Sequence, residues 1–392
     1  MSALYFDHAA TTPCDPQARA VLMAALEHDN ANPHSTTHDA GLAAARLVEH
    51  ARAQVAGLIG AEPREIVFTS GATEANNLAI KGAVRHLGAM GSVRRRVITV
   101  ATEHKCVLQS VADLAREGFD PVILPVEPDG RLAPGVLAQA LEVPTALVSI
   151  AAANNETGVL QDLDMLGAIV REQGALLHSD MAQAAGKIAV DVRKTPLALA
   201  SLSGHKLYGP KGVGALFVRH RPRVRLEPLF SGGGQERGFR SGTLPGFLLA
   251  GFGEACRIAG TRMAEDAAHL ATLQEIFLDS LERALPGCVV NAAHSPRLPG
   301  IFSLRLPAGL RALDVVSALR QMPHPVQASL GSACSSAELA PSYVLEAMGL
   351  SAQEAGRSLR LSPGRFTSAA DALNAAGTVA QAALRVRAAA QP

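Results

Sequence analysis

Residues 197–206 read Leu-Ala-Leu-Ala-Ser-Leu-Ser-Gly-His-Lys, an apolar run that ends in a short polar loop with Lys206. A short continuous apolar run predicts a strand that is buried on both faces. A lysine at the end of such a strand is placed to lose its hydration and its proton, and a neutral amine attacks carbonyl carbons. The stretch therefore predicts a buried strand with a reactive amine at its end.

A carboxylate follows a second run of this kind. Asp180 comes directly after the strand-like residues 175–179, and Gln183 follows it by three residues. An acid in this position can keep the nitrogen of an aromatic cofactor protonated, and an amide can donate to a ring oxygen. The alternative is that Asp180 caps a following helix, a role that aspartate often has.

A third run, residues 65–69, leads through the loop 70–73 (Ser-Gly-Ala-Thr) into a predicted helix over residues 74–80. Backbone N–H groups at the start of a helix bind anions, and small residues let a phosphate approach. An ordinary turn between a strand and a helix gives the same pattern. An anion site, a lysine and a carboxylate together predict pyridoxal phosphate as the cofactor, because its phosphate, aldehyde and ring nitrogen each find a partner.

His104 and Asn155 also follow strand-like runs, residues 97–101 and 146–150. The histidine could stack on a cofactor ring and move protons, although a lone histidine is more often structural. The asparagine could bond a ring oxygen or a substrate carboxylate, or belong to a turn rich in Asn and Gly. Ligands of open α/β sheets gather beyond the carboxyl ends of the strands. This shared placement predicts that the candidates form one site.

Strand-like and helix-like stretches alternate from about residue 40 to about residue 220, which predicts an α/β fold with a mainly parallel sheet covered by helices. With 392 residues, the chain exceeds the size at which single cores stop growing, so we expect two domains. The pair Pro286-Gly287 marks the change of pattern. Beyond it, short strands mixed with helices predict a smaller α+β domain.

Composition narrows the possible partners and the compartment. The net charge of +1, without a basic block, argues against a nucleic-acid partner. Five scattered cysteines argue against a disulfide framework and favour a reducing cytoplasm, and their spacings form no metal-binding pattern. Motif residues begin at Asp7, which predicts no signal peptide. No apolar run has the length of a membrane span, so no membrane partner is expected.

On these residues the chain resembles the pyridoxal-phosphate-dependent cysteine desulfurases, in the branch that serves iron–sulfur cluster assembly and nitrogenase maturation. The likeness runs from about residue 4 to about residue 367 and rests on the order and spacing of many motifs. The motifs are residues 7–13, 68–74, 103–105, 154–158, 180 with 183, 203–206, 240–243, 331–336 and 341–345.

The resemblance implies the fold type I of pyridoxal-phosphate enzymes. Residues 14–256 would form the large cofactor-binding domain, and residues 1–13 would pack with residues 257–392 in the small domain. It also implies catalytic roles for three residues. Lys206 would bind the cofactor covalently and later move the substrate's α-proton, His104 would stack on the ring and assist protonation, and Cys334 would receive the sulfur.

The remaining contacts implied by the resemblance fall into three groups. Asp180 pairs with the pyridine nitrogen, and Arg360 clamps the substrate carboxylate, a bidentate task that suits its fork geometry. The phosphate contacts are Ala72, Thr73, Ser203, His205 and, from the other subunit of a homodimer, Thr243. The ring-oxygen contacts are Asn155 and Gln183, and Asn155 also faces the substrate.

Cys334 decides which reaction the resemblance implies. It lies among small residues at 329–336 (Ser-Leu-Gly-Ser-Ala-Cys-Ser-Ser), which are typical of a loop, where a thiol can be reactive. A single cysteine taken alone is more often a small buried hydrophobe. By the resemblance, its thiolate attacks the sulfur of cofactor-bound L-cysteine and gives L-alanine and a persulfide on Cys334.

Departures from the family pattern bear on the sulfur acceptor, for which an iron–sulfur scaffold protein is the expected kind of partner. Ser329-Leu330 stands where the family usually has Ser-Ser, and prolines precede it at 323 and 325. Leucine and proline stand at 361 and 363 where the pattern is more often Phe and Leu, and the tail after Thr367 is shorter than in housekeeping members.

Two further functions stay open. One is a selenocysteine lyase, or another lyase or transaminase with the same cofactor, although a transaminase has no need of Cys334. The other is a non-enzymatic binding platform of the sulfur system, which predicts the loss of Lys206, Asp180 or Cys334; all three are present.

Overall fold

The structure, a computed structural model, describes residues 3–28, 30–331 and 340–389. Within these ranges the strands are β1 (Leu4–Tyr5), β2 (Ile66–Thr69), β3 (Arg96–Val100), β4 (Asp120–Leu124), β5 (Thr145–Ser149), β6 (Leu176–Asp180), β7 (Leu199–Ser203), β8 (Gly214–Val218), β9 (Val289–Val290), β10 (Phe302–Arg305), β11 (Val326–Gln327) and β12 (Ser358–Leu361). The helices are α1 (Pro16–His28), α2 (Asp39–Ile59), α3 (Ala72–Asn77), α4 (Ala83–Ala89), α5 (Lys105–Asp113), α6 (Pro134–Ala140), α7 (Leu163–Glu172), α8 (Gly246–Ala284), α9 (Ala312–Leu319), α10 (Tyr343–Ala347), α11 (Ala352–Ala355) and α12 (Ala369–Ala389).

A large sheet has the strand order β2-β8-β7-β6-β5-β3-β4. Only β8 among these described strands runs against its neighbours, and the other pairs from β7 to β4 are parallel. The predicted α/β class with a mainly parallel sheet is therefore confirmed. Strands β2, β5, β7 and β8 are buried along their whole length, which explains their largely apolar sequences, interrupted only by small Ser, Thr and Gly residues.

The parallel strands place their carboxyl ends at one edge of this sheet. The loops after β2, β3, β5, β6 and β7 all leave from that edge. The helix after β2 begins at Ala72, two residues earlier than the sequence pattern predicts. Gly71, with a φ of 147°, makes the sharp entry into this helix, because a side chain rarely adopts that conformation.

A second body of packed elements surrounds the smaller sheet β12-β10-β9, whose pairs are antiparallel. The first residues of the chain join it, since β1 pairs with β11 and Phe6 packs in the same apolar cluster as Phe277 and Phe302.

Helix α8 contributes to both apolar clusters. Leu249, Phe252 and Ile258 pack with the large sheet, whereas Leu273 and Phe277 pack with the smaller sheet. The predicted boundary between residues 256 and 257 falls inside this continuous helix. The division into two domains stays a prediction. None of the helices in the described ranges has the length and apolar character needed to cross a membrane.

Candidate active site

A cavity of about 440 Å³ lies at the carboxyl edge of the large sheet. Its walls come from the segments after β2, β3, β5, β6 and β7, together with one residue of β12 and with Ala10 and Thr11 of the amino-terminal segment. Ten of the predicted site residues line it: Ala72, Thr73, His104, Asn155, Asp180, Gln183, Ser203, His205, Lys206 and Arg360. The parallel arrangement of the strands explains why residues so far apart in the chain meet there.

Lys206 ends a short 3₁₀ turn that follows β7. Its Nζ donates to the carbonyl oxygens of Ala9 at 2.6 Å and Ala10 at 2.9 Å. The amino-terminal segment thus holds the amine at the cavity wall through two acceptors that carry no charge. These two bonds position the nitrogen at the cavity, where a lysine that reacts with a cofactor aldehyde is needed.

Asp180 ends β6, and both of its carboxylate oxygens are fixed. Oδ1 accepts from the backbone N–H of Ala182 at 2.9 Å, and Oδ2 accepts from Asn76 Nδ2 at 2.7 Å. Asn76 is a buried residue of α3 that the sequence analysis did not select. The aspartate does not cap a helix, because residues 181–185 form turns.

His104 precedes α5 and caps it with its own ring. Its Nδ1 accepts from the backbone N–H of Cys106 at 3.2 Å and lies 3.0 Å from Cys106 Sγ. An accepting Nδ1 carries no proton, so the proton of the neutral ring is on Nε2. Burial lowers the pKa of His104, and Lys206 lowers it further, against an opposing effect of Asp180.

The loop after β2 and the loop after β7 form a cradle for an anion. A Cβ built on Gly71 would meet no atom of the described chain within 4 Å, so the backbone faces open space. Across from it, the buried Ser203 hydroxyl has no hydrogen-bond partner among the described residues. His205 contacts Thr11 Oγ1 at 3.2 Å. Burial, Lys206 and Lys211 lower its pKa to about 4, so the ring is neutral near pH 7.

This set of groups fits pyridoxal phosphate. Ser203 provides an unused buried donor and the loop 70–73 provides backbone N–H groups for a phosphate. Asp180 provides a fixed carboxylate, and Lys206 provides an amine on the same cavity. The donor set thus complements each of the three reactive parts of this cofactor.

Arg360 reaches the cavity from β12 and is almost completely buried. Its Nη2 donates to Asp7 Oδ1 at 2.7 Å, and its Nη1 donates to the carbonyl oxygen of Asn155 at 2.9 Å. Its Nε has no acceptor within the part of the chain that the structure describes. The arginine is therefore held in place by two of its five N–H donors, and its remaining donors suit the binding of a further carboxylate.

Thr243 is exposed and is not among the described residues that line the cavity of its own chain. The preceding loop is tied to α3, because Arg240 Nε donates to Glu74 Oε1 at 2.8 Å.

Cys334 lies outside the described residues. On either side of residues 332–339, Gly331 and Ser342 both approach one buried carboxylate: Ser342 Oγ donates to Glu156 Oε2 at 2.5 Å, and a Cβ on Gly331 would lie 2.8 Å from that oxygen.

Three contacts of the site were missed by sequence reasoning. They are the bond from Asn76 to Asp180, the pairing of Arg360 with Asp7, and the bond from Lys187 Nζ to Gln183 Oε1 at 2.8 Å. Asp7 had a signal, since it opens a motif of the predicted family. Asn76 gave none, because its contact depends on how α3 meets the end of β6. Lys187 lies only four positions from Gln183, but the irregular turns between them follow no helix or strand pattern.

Comparisons with known proteins relate most of the chain to one family. The family model described as Aminotransferase class-V matches residues 4–373. The chain is 46% identical over 364 residues to "Cysteine desulfurase IscS" of Rickettsia akari (strain Hartford), which covers 93% of this chain and 87% of that protein. It is 48% identical over 364 residues to "Cysteine desulfurase, mitochondrial" of Arabidopsis thaliana, with 93% and 79% covered. A solved structure named "NIFS-LIKE PROTEIN" superposes with a TM-score of 0.88 at 30% identity, covering 98% of this chain and 100% of that one.

Proposed function

The chain belongs to the class-V aminotransferase family, and from this premise we propose that its cavity carries out the reaction of a pyridoxal-phosphate-dependent cysteine desulfurase. L-cysteine is converted to L-alanine, and the sulfur is captured as a persulfide on Cys334 for iron–sulfur cluster assembly. The observation that carries this proposal is that Lys206, Asp180 and the loop 70–73 line one cavity. A cofactor aldehyde, ring nitrogen and phosphate would each find a complementary group there.

The bound cofactor supplies an electron sink for the bonds at the α-carbon of the substrate. The protein has to hold it and keep it electron-poor. Asp180, with both oxygens fixed, would keep a proton on the ring nitrogen. Gln183 and Asn155 would donate to the ring oxygen. The phosphate would be bound by the Ser203 hydroxyl, by His205 and by the backbone and side chain of the loop 70–73.

Substrate binding and proton transfer fall to three residues. Arg360 would bind the carboxylate of L-cysteine while Asp7 and the carbonyl of Asn155 keep the guanidinium in one orientation. The Lys206 amine would bind the cofactor aldehyde and move the α-proton. His104, with its proton on Nε2 and a lowered pKa, would donate and accept one proton at that atom.

The sulfur step needs a thiolate. Cys106 lines the cavity, but burial raises its pKa to about 12, so it carries a thiol near pH 7. Cys334 would supply the thiolate. A bond forms between Cys334 Sγ and the sulfur of the substrate as the Cβ–S bond of the substrate breaks. The electron pair of the broken bond stays with the carbon skeleton, which takes up a proton and becomes L-alanine. Enzyme thiol and cysteine thus give enzyme persulfide and alanine, without an external oxidant or reductant.

The decisive experiment compares Cys334→Ser with Lys206→Ala. A hydroxyl supplies almost no anion at pH 7, whereas a thiol with a pKa of about 8.5 supplies a few per cent thiolate. We expect Cys334→Ser to keep the visible absorbance of the cofactor and its response to L-cysteine but to form no persulfide and no sulfide. Lys206→Ala should lose the absorbance of covalently bound cofactor. Normal alanine and sulfide production by Cys334→Ser would move the protein to the lyase alternative.

Three finer assignments belong to the same proposal. The protein acts as a homodimer, because Thr243 is exposed and away from the cavity of its own chain. An acceptor protein such as an iron–sulfur scaffold takes the sulfur from Cys334. The reaction takes place in the cytoplasm, an assignment supported by the free thiols of Cys14, Cys106, Cys256 and Cys288 in the described chain.

A further inference from the structure

We propose that Lys187 is a positioning residue for this reaction, which holds the Gln183 side-chain amide in the one orientation that presents a donor to the cofactor ring. The inference rests on the proposed function, because Gln183 matters only if a cofactor oxygen lies beside it. Lys187 does not line the main cavity among the described residues, so it acts through Gln183.

A chain of hydrogen bonds links Lys187 to the reactive lysine. Lys187 Nζ donates to Gln183 Oε1 at 2.8 Å, and Gln183 Nε2 donates to the carbonyl oxygen of Ala9 at 2.8 Å. The same carbonyl accepts from Lys206 Nζ at 2.6 Å. A change at Lys187 is therefore transmitted through one side chain and one carbonyl to the nitrogen of Lys206.

The chemistry of the two partners fixes which way the amide points. Below its pKa of about 7 Lys187 is an ammonium, which has only donors and selects the amide oxygen. The backbone carbonyl of Ala9 has only acceptors and selects the amide nitrogen. Without Lys187, only Ala9 would favour this orientation, and the amide could turn its oxygen toward the cavity. An amide oxygen there would face the electron-rich ring oxygen and repel it.

The placement of Lys187 is not that of an ordinary surface charge. The residue is half-buried, and no carboxylate of the described residues lies within ion-pair distance of its Nζ. Loss of hydration, followed by the charges of Lys206 and Arg360, lowers its pKa to about 7. Burying a charged group without a carboxylate partner costs stability. The role of Lys187 is therefore to orient the amide of Gln183 rather than to stabilise the fold.

The backbone before Lys187 leaves it little freedom. Gly186 has a φ of 75°, and a Cβ at this position would lie 2.8 Å from the side chain of Ala259 in α8. The turn therefore packs tightly against α8 and directs Lys187 back toward Gln183.

Several charged and titratable groups surround Lys187 and can affect its protonation. They are His8, His205, Lys206, Tyr208, Asp266, Arg360 and Arg365.

The test is the pH titration of the visible cofactor absorbance in the loaded protein, without substrate. Lys187→Met removes the orienting donor and a nearby positive charge. Both losses raise the pKa of the bound cofactor, because its protonated form is then less disfavoured. We expect the midpoint of the titration to rise by about half a pH unit or more. Lys187→Arg keeps a donor and a charge and should restore the parent midpoint. The matched control is Lys194→Met, since Lys194 is exposed and lies 4.0 Å from Asp191 on the surface.

A second variant covers the case in which Lys187→Met fails to fold. Gln183→Leu removes the amide itself and should raise the midpoint in the same direction, and adding Lys187→Met to it should then give less than the sum of the two shifts. In steady state, Lys187→Met should lower kcat and leave KM for L-cysteine close to the parent value.

Two outcomes would overturn the positioning role while the desulfurase assignment stands. One is an unchanged midpoint in Lys187→Met or Gln183→Leu with full cofactor loading and normal sulfur release by the parent. The other is an equal shift in Lys194→Met, which would make the effect one of general charge. A parent protein that binds no cofactor would instead overturn the proposed function.

Discussion

At the residue scale, Asn76 affects the proposed chemistry through its bond to Asp180, beside a longer contact of the same nitrogen with Cys106 Sγ at 3.3 Å. Its buried amide donates to Asp180 Oδ2 at 2.7 Å, and a hydrogen bond to a charged group contributes about 1.5–3 kcal/mol. We expect Asn76→Ala to weaken cofactor binding by roughly tenfold and to lower turnover further, because Asp180 loses the partner that fixes it. Cofactor affinity, measured by absorbance titration of the cofactor-free protein, checks this.

The neighbouring asparagine provides the control for that experiment. Asn77 lies in the same helix, but its side chain bonds to the carbonyl oxygen of Thr73 and does not reach Asp180. Asn77→Ala should therefore keep the cofactor affinity of the parent. Equal losses in both variants would mean that the helix, rather than the bond to Asp180, is responsible.

Glu103 gives a prediction for the dependence of stability on pH. Burial, and to a smaller extent Asp180, raises its pKa to about 8, against the effect of the 2.6 Å bond from the Ala151 N–H. An unfolded carboxyl loses its proton above its ordinary value of 4.5, whereas the folded one keeps it until about pH 8. The folded state thus binds more protons in this window, and stability falls as pH rises, by up to about 1.4 kcal/mol per pH unit.

Replacing Glu103 with glutamine should remove this contribution, because the amide has the same shape, still accepts from Ala151 and does not ionise. The free energy of unfolding from urea titrations at pH 6 and pH 8 should therefore fall less in Glu103→Gln than in the parent. Glu172→Gln, at an exposed position of α7, serves as the control. A parent-like decrease in Glu103→Gln would reject the assignment.

The sequence predicted those site residues whose position follows from local structure. Asp180, Ser203 and Lys206 each come at or just after the end of a buried strand, and an apolar run marks such an end directly. The supporting contacts could not be predicted in this way. Asn76 and Asp180 are separated by 104 positions, and Asp7 and Arg360 by 353, so each pair exists only after the loops have met.

At the scale of elements, the strand pattern was easier to predict than the ends of the helices. The run at 197–202 became β7 with a shift of two residues at its start, because burial on both faces of the sheet selects apolar residues along the whole strand. The predicted helix over 74–80 begins instead at Ala72 and passes into a π-helical turn at Leu78–Gly82. Such a turn depends on tertiary packing, which no local pattern reports.

The segment before residue 332 provides a prediction at the same scale. Gly331 has a φ of 133°, and a Cβ there would lie 2.8 Å from Glu156 Oε2. Gly331→Ala therefore combines backbone strain with a collision at the carboxylate that also holds Ser342. We expect turnover to fall by roughly tenfold, for about 1.4 kcal/mol lost, while the cofactor absorbance stays unchanged.

Gly349→Ala separates the two causes. Gly349 has a φ of 90°, but a Cβ there would meet nothing within 4 Å of the described chain, so this variant carries strain without a collision. Turnover and the rate of persulfide formation on Cys334 should fall in Gly331→Ala and stay near the parent value in Gly349→Ala. Similar losses in both would show that Glu156 does not matter to the cysteine segment.

At the scale of the whole molecule, one arginine connects elements that are distant in the chain. Arg365, just after β12, pairs with Asp15 at 2.8 Å and Asp266 at 2.7 Å and lies over the ring of Tyr208. The three partners come from the start of α1, from α8 and from the loop after Lys206. This buried cluster keeps β12, and with it Arg360, in a fixed position relative to the large sheet.

The proposed homodimer predicts that mixing two inactive variants restores activity. If Thr243 completes the phosphate site of the partner subunit, a dimer of one Lys206→Ala chain and one Thr243→Ala chain contains one site with both defects and one intact site. Random mixing would make half of the dimers mixed, so about a quarter of the parent turnover should return. If Thr243 served its own chain, every site would keep a defect.

The two variants are unfolded and refolded together, and we measure cofactor absorbance and sulfide release before and after this step. Recovery of activity would support the shared site. The absence of recovery, although mixed dimers have formed, would reject it.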